Sequence, residues 1–358
     1  MAGLGMTPEF WADKTVFLTG HTGFKGAWAG RILSNFGANV HGFSLAPETD
    51  PSLTELLGDK YLASSTIADI RDGQAVDKAV QNARPDIVLH MAAQPLVRRS
   101  YREPVSTFET NVIGTINLLE AVRKTESTRA VLVVTSDKVY ENDEGGRAFT
   151  ENDRLGGHDP YAASKAACEI AVKSWRLSYF DAMDCVLHSA RGGNVIGGGD
   201  FSEDRLIPDI VRAELADDPL VLRSPKATRP WQHVMDCLDG YFCFLEQAYA
   251  SKALPDALNF GPHDPNDVLT VEAVQKLFTQ AIGSEGNWHL SDQQEPHEMA
   301  ALSINSSAAF DTLGWRGRLS SQAAVEWTAR WYAAWRNGAD VTSLTDQQID
   351  DYLKTQRS

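Results

Sequence analysis

The chain has 358 residues, 43% of them hydrophobic and 23% charged, a balance that excludes a disordered or fibrous protein and is long enough for one large domain or two ordinary ones. Asp and Glu number 48 against 33 Lys and Arg, and the resulting formal charge of −15 disfavours nucleic acid and anionic membrane as partners. No stretch approaches 18 consecutive apolar residues, and the opening MAGLGMTPEFWADK has neither a basic n-region nor an apolar core, so neither a membrane span nor export is expected.

Short β-branched runs alternate with helical patterns through the first half. TVFLTG precedes a helix over about 26–36, and NVHGFSL, STIADI, DIVLHMAA and AVLVVTS read as further strands. This rhythm belongs to βαβ units in a parallel sheet, and strands that are apolar without alternation are those covered by helices on both faces. The expected fold class is therefore α/β, a doubly wound parallel sheet of Rossmann type. A long helix follows DPYAASK to about residue 180, and CVLHSARGGNVIG is one more strand that runs into a glycine-rich stretch. Residues 192–233 read as loop-rich with scattered arginines. Val234, Cys237, Leu238, Tyr241, Phe242 and Leu245 then recur at helical spacing and mark an amphipathic helix, which with ALNFGP returns to the sheet. Helices separated by LGWRGRLS fill the rest. The expected division is an NAD(P)-binding domain over 1–191 and about 234–264, and a smaller, discontinuous substrate domain over about 192–233 and 265–358. Cys168, Cys185, Cys237 and Cys243 form no C-x-x-C pair and suggest reduced thiols in a cytoplasmic protein.

TGHTGFKG puts Gly20, Gly23 and Gly26 three apart, directly after a strand and at the start of a helix. Glycines there permit a tight turn and a close backbone approach to a pyrophosphate, which the helix N-terminus attracts. Gly20, His21, Gly23, Phe24, Lys25 and Gly26 are accordingly candidate cofactor contacts, although His21 and Lys25 either touch phosphate or are simply solvated. Asp69, Ile70 and Ala92, beyond the third and fourth strands, are further candidates. Asp69 reaches the adenine amino group or caps a helix. The acidic residue that normally holds the NAD ribose has no counterpart at the end of the second strand, where Ser44 stands. NAD is the expected cofactor, with NADP left open.

In DPYAASKAA, Tyr161 and Lys165 lie four apart on one helix face. A cation so placed lowers the tyrosine pKa and prepares it to take a hydroxyl proton, and Ser136 at the end of AVLVVTS can hold the same substrate oxygen. Together these features resemble the extended short-chain dehydrogenase/reductase family, whose members act on nucleotide sugars with bound NAD(P). The similarity covers nearly the whole chain. It implies that Ser136, Tyr161 and Lys165 oxidise or reduce a sugar carbon, and that Asn111 in ETNVIGT is the family's helix asparagine, whose plainer role is to bond backbone. Within the family, GHTGFKG, HMAAQPLVRRSY, TSDKVYEN, DPYAASK, GNVIGGGDFSEDRLIPDI, RPWQHV and NFGP most resemble the 4,6-dehydratases that act on CDP-activated glucose. Phe201 departs from the expected tryptophan and Val139 from a common cysteine, and neither carries the chemistry.

Asp137 and Lys138 are surplus to a plain dehydrogenase or 4-epimerase. Removing water across C5 and C6 of a hexose needs an acid for the C6 hydroxyl and a base for the C5 proton. The resemblance gives the acid to Asp137 and the base to Lys138. An ammonium cannot accept a proton, so Lys138 must be neutral when it acts. Asn194, Arg205 and Arg229 are candidate contacts to the substrate pyrophosphate, arginine suiting fork-like phosphate binding. Arg98 and Arg99 are left between substrate contact and solvent. The histidines show no ligand spacing, so no metal is expected. Trp327, Trp331 and Trp335 recur every four residues as a helix packing face. A homo-oligomer is expected by analogy with relatives. The rival readings are an epimerase or reductase on the same fold, a dehydratase acting on another nucleotide-glucose, and a dinucleotide sensor without activity.

Overall fold

The computed structural model describes residues 5–142, 145–262, 264, 266–292 and 302–355. Seven strands form its main sheet: β1 (Thr15–Thr19), β2 (Asn39–Ser44), β3 (Ser64–Ile67), β4 (Ile87–His90), β5 (Ala130–Val134), β6 (Val186–Gly192) and β7 (Ala257–Phe260). They run in the order β7-β6-β5-β4-β1-β2-β3, and every neighbouring pair is parallel. Parallel strands need crossover connections, and α1 (Phe24–Asn35), α2 (Gly73–Ala83), α3 (Gly114–Arg123) and α4 (Pro160–Ser178) supply four of the six. Asp72 caps α2 by accepting from the amides of Gln74 and Ala75, and Asp159 caps α4 through Ala162.

Successive side chains of a strand point to opposite faces, and here both faces are dry. Val16 and Leu18 of β1, Ile87 and Leu89 of β4, and Leu132 of β5 join one apolar cluster, whereas Phe17, Val88, Val131 and Val133 join the other. That is why these strands read as continuous apolar runs. The order reverses between β1 and β4, so the loops at their carboxyl ends diverge and leave a crevice, the place where open α/β sheets bind ligands.

Two expectations need correction. The stretch read as loop-rich contains an eleven-residue helix, α5 (Leu206–Ala216). Ile207, Ile210 and Val211 are its buried stripe, and Pro208 sits in the first turn, where a missing amide costs nothing. The helix expected to be amphipathic, α6 (Val234–Ala250), is buried at every residue from Val234 to Leu245. Even its acids are inside: Asp236 accepts from the amides of Arg318 and Leu319 and from the Tyr352 hydroxyl, and Asp239 from the Met6 amide. The N-terminal segment and the last helices cover its outer side, so a helix that looks two-faced in sequence has no solvent face.

The C-terminal part adds α7 (Val271–Ala281), α8 (Ser321–Arg336) and α9 (Val341–Lys354). Trp331 of α8 is fully buried and its indole donates to Thr345, while Trp327 and Trp335 pack partly exposed against the same core. All four cysteines are buried free thiols. Among the described residues no helix is long and apolar enough to cross a membrane.

Candidate active site

A cleft of about 1040 Å³ opens at the carboxyl ends of the strands, at the upper end of the range for ligand sites and large enough for two ligands side by side. Its floor is the turn from β1 to α1. Gly20 has φ +76°, a left-handed conformation that a side chain resists, and a Cβ on Gly26 would lie 2.0 Å from the Gly20 carbonyl oxygen. Gly23 is exposed, and a Cβ there would meet only that same oxygen at 3.5 Å, so the surface toward the cleft is bare backbone. No side chain caps α1, which leaves its first-turn amides available to an anion. These residues fit a dinucleotide pyrophosphate. Phe24 and Lys25 line the same cleft, with the Lys25 ammonium 5.5 Å from the centre of the Tyr241 ring.

His21 does not line the cleft. Its ring lies against Gly42 of β2, Nε2 pairs with the Ser65 hydroxyl at 2.8 Å, and burial lowers its pKa, so it packs the sheet rather than touching phosphate. Asp69, Ile70 and Ala92 are in the cleft wall. Asp69 is not the cap of α2, a role held by Asp72. Arg71 instead bonds its carboxylate and holds it below the usual range. At the tip of β2, Ser44 lies 2.8 Å from the Thr22 hydroxyl, with no carboxylate in its place.

Opposite the glycine turn, β5 ends and the chain enters a single tight turn, Asp137–Val139, capped by Ser136. The Ser136 hydroxyl donates to Asp137 Oδ1 at 3.1 Å and accepts from the Lys138 amide, while Lys138 Nζ stands 3.8 Å from the same carboxylate oxygen. Asp137 is almost wholly buried, and Lys138 is partly exposed in the cleft wall. Tyr161, in the first turn of α4, reaches Ser136. Burial pushes its phenol up to about 12, and the Ser136 bond and the Arg205 charge pull the other way. Lys165 follows one turn later, but its ammonium donates to the Val134 carbonyl at 3.1 Å, and burial lowers its own pKa. The expected lowering of the tyrosine pKa by this lysine is not what the folded chain shows: burial dominates, and the opposing pulls come from the Ser136 bond and the Arg205 charge.

Asn111 sits in a π-turn, Glu109–Ile113, at the entry to α3 and does not line the cleft. Its amide accepts from the Gln94 amide at 2.8 Å and donates to the Gln94 carbonyl and the Ser164 hydroxyl. It therefore ties the loop after β4 to α4. A network absent from the sequence reading braces the other side. Glu169 accepts from Thr135, Ser189 and Arg191, and Arg191 also donates to Tyr140. Both ions of this pair are buried, which anchors the residue just before Ser136. A signal existed: an arginine inside the apolar strand CVLHSARGG needs a buried carboxylate partner.

The residues expected at the pyrophosphate all line the cleft, already engaged. Asn194 directs its amide to Asp137 Oδ2 at 3.2 Å, Arg205 donates to Asp200 at 3.1 Å, and Arg229 is buried beside the Thr228 carbonyl. Arg98 pairs with Asp204, and Arg99 pairs with Glu48 and Glu203. Among the described residues no cluster of His, Cys, Asp or Glu could hold a metal ion.

A doubly wound sheet with a three-glycine turn at its switch point, facing a serine, a tyrosine and a lysine across one cleft, defines an extended short-chain dehydrogenase/reductase. The family model for GDP-mannose 4,6 dehydratase matches residues 17–328, and the chain belongs to that family. It is 40% identical over 351 residues to the CDP-glucose 4,6-dehydratase of Salmonella typhimurium strain LT2, covering 96% of this chain and 98% of the other. A dTDP-glucose 4,6-dehydratase of Xanthomonas campestris pv. campestris is 29% identical over 279 residues, 74% of this chain and 77% of that one. The crystal structure of dTDP-glucose 4,6-dehydratase from Bacillus anthracis in complex with NAD superposes with a TM-score of 0.74 at 20% identity, covering 92% of this chain and 99% of that chain, a likeness of fold.

Proposed function

We infer that the chain converts CDP-glucose to CDP-4-keto-6-deoxyglucose with NAD as a cofactor regenerated in each turnover. One observation carries this reading: an acid and an amine, Asp137 and Lys138, open onto the same cleft as Tyr161, where a plain oxidoreductase has no use for them. The 40% identity to a CDP-glucose 4,6-dehydratase over almost the whole of both chains supports it and supplies the base, cytosine.

Tyr161, held by Ser136, takes the C4 hydroxyl proton as C4 is oxidised. Bound at the glycine turn, between Gly20, Gly23, Gly26 and the α1 N-terminus, an oxidised dinucleotide supplies the hydride acceptor and a positive charge that favours the Tyr161 phenolate. The C4 ketone acidifies the neighbouring C5–H, and neutral Lys138 removes that proton. Asp137 gives its proton to the departing C6 hydroxyl, so water leaves and C6 is open to reduction, which is completed when Lys138 returns a proton to C5. Arg205 and Arg229 hold the pyrophosphate, exchanging protein partners for the ligand's. In this reading residues 1–191 with about 234–264 bind the dinucleotide, and about 192–233 with 265–358 bind the nucleotide sugar. The protein works in the cytoplasm, in keeping with its four free thiols, and as a homo-oligomer paired through α4, which leaves Ile170 and Leu177 exposed.

CDP-glucose carrying deuterium at C4 tests the reaction. The expected product has lost water and carries the label at C6. Label retained at C4 in an inverted sugar would make the chain an epimerase, and parallel assays with dTDP-, GDP- and UDP-glucose test the base.

A further inference from the structure

Between the end of β6 at Gly192 and the short strand Val195–Ile196 lies a two-residue turn that touches the Asp137 carboxylate with both residues. A Cβ on Gly193 would sit 2.0 Å from Asp137 Cγ, so the bare backbone of Gly193 is packed flat on the carboxylate. Asn194 follows with φ +48°, the left-handed region that few residues with side chains adopt and asparagine tolerates best. In that conformation its Nδ2 meets Asp137 Oδ2 at 3.2 Å, and its carbonyl accepts from the Gln232 amide at 3.2 Å. The second bond ties the turn to the parallel pair of Val195–Ile196 with Gln232–His233. The other carboxylate oxygen, Oδ1, faces Ser136 and Lys138.

We propose that Asn194 is a positioning residue for Asp137: its amide holds Oδ2 and, with the Gly193 backbone, fixes the carboxyl so that Oδ1 faces Ser136 and Lys138. The chemistry follows from the donor inventory. An amide NH2 only donates and so holds Oδ2 as an acceptor, whereas the Ser136 hydroxyl both donates and accepts and can partner Oδ1 whether the carboxyl is ionised or protonated. The carboxyl plane is thus fixed by the Gly193 backbone on one side and the amide at its edge. Preorganising a proton donor in this way affects the elimination and not the earlier oxidation at C4.

The inference rests on the dehydratase reading, and two variants test it. Asn194→Gly removes the amide while keeping a residue at ease with positive φ, so the turn is retained. Asn194→Asp keeps the shape and replaces the donor with an acceptor. With C4-deuterated CDP-glucose, each variant is expected to exchange label between C4 and cofactor at close to the wild-type rate. Each should expel water from C6 at least tenfold more slowly, with KM changed less than threefold. Unchanged kcat with a KM raised tenfold or more in both variants would overturn the proposal and make Asn194 a pyrophosphate contact only. Equal slowing of label exchange and water loss would also overturn it, as a general disturbance of the site. If the wild-type chain itself releases no water, the dehydratase reading fails instead, which the same assay reports separately.

Discussion

Asp137 and Lys138 are neighbours in sequence, yet the fold gives them different surroundings: the carboxylate is almost fully enclosed and the ammonium reaches the cleft. A buried acid that must deliver a proton and a partly hydrated amine that must accept one are suited to the two halves of an elimination. Asp137→Asn should still oxidise C4 but expel water about 10²–10⁴-fold more slowly, the usual contribution of a positioned general acid. Single-turnover measurement of product formation beside C4 label exchange checks this, and unchanged turnover would move the acid elsewhere. Lys138→Met should abolish solvent exchange of the C5 proton, read by mass spectrometry in deuterated water; exchange at the wild-type rate would mean that another group is the base. Tyr161 illustrates a different balance. Its phenol, raised to about 12 by burial, stays protonated at neutral pH in the chain alone, so its activation depends on what binds beside it.

At the scale of elements, α6 is strapped on its outer side by the N-terminal segment. Glu246 Oε1 accepts from the Thr7 amide and the Trp11 indole, both at 2.7 Å, and burial raises its pKa from 4.5 to about 7. A carboxyl with a raised folded pKa contributes stability that is fully present below its unfolded pKa and is lost as pH rises through the folded one. The window here runs from about pH 4.5 to about pH 7. Glu246→Gln keeps the acceptor oxygen and removes the charge. Its Tm should therefore match the wild type at pH 4.5 and exceed it by a few degrees at pH 8. Thermal denaturation across that range is the check, and a difference that does not grow with pH would remove Glu246 from the pH response.

For the whole molecule, α4 joins two roles. Its inner face carries Tyr161, Lys165 and Glu169, all buried at the site, while Ile170 and Leu177 look outward at 62% and 61% exposure. Large apolar groups so exposed on an ordered helix fit a surface covered by a second copy. The double substitution Ile170→Glu with Leu177→Glu should yield a smaller species in sedimentation velocity while leaving the fold intact by circular dichroism. A wild-type chain that sediments as a monomer would end the oligomer reading.

The sequence by itself determined the sheet and the places along the chain of the candidate site residues. Strand runs buried on both faces must be apolar throughout, and a phosphate turn before a helix must be glycine-rich, so both leave local patterns that need no partner to be read. The spacing of Tyr161 and Lys165, and the placement of Asp137 and Lys138 behind Ser136, are of the same local kind. Only the tertiary structure decided what each side chain meets. It turned His21 into the sheet, engaged Asn194 with Asp137, drew Arg191 to Glu169, covered α6 on every side and let burial outweigh the Ser136 bond and the Arg205 charge at Tyr161. Each of these depends on groups brought together from distant parts of the chain, and neither burial nor a hydrogen-bond partner across such a distance is written in the spacing of neighbouring residues.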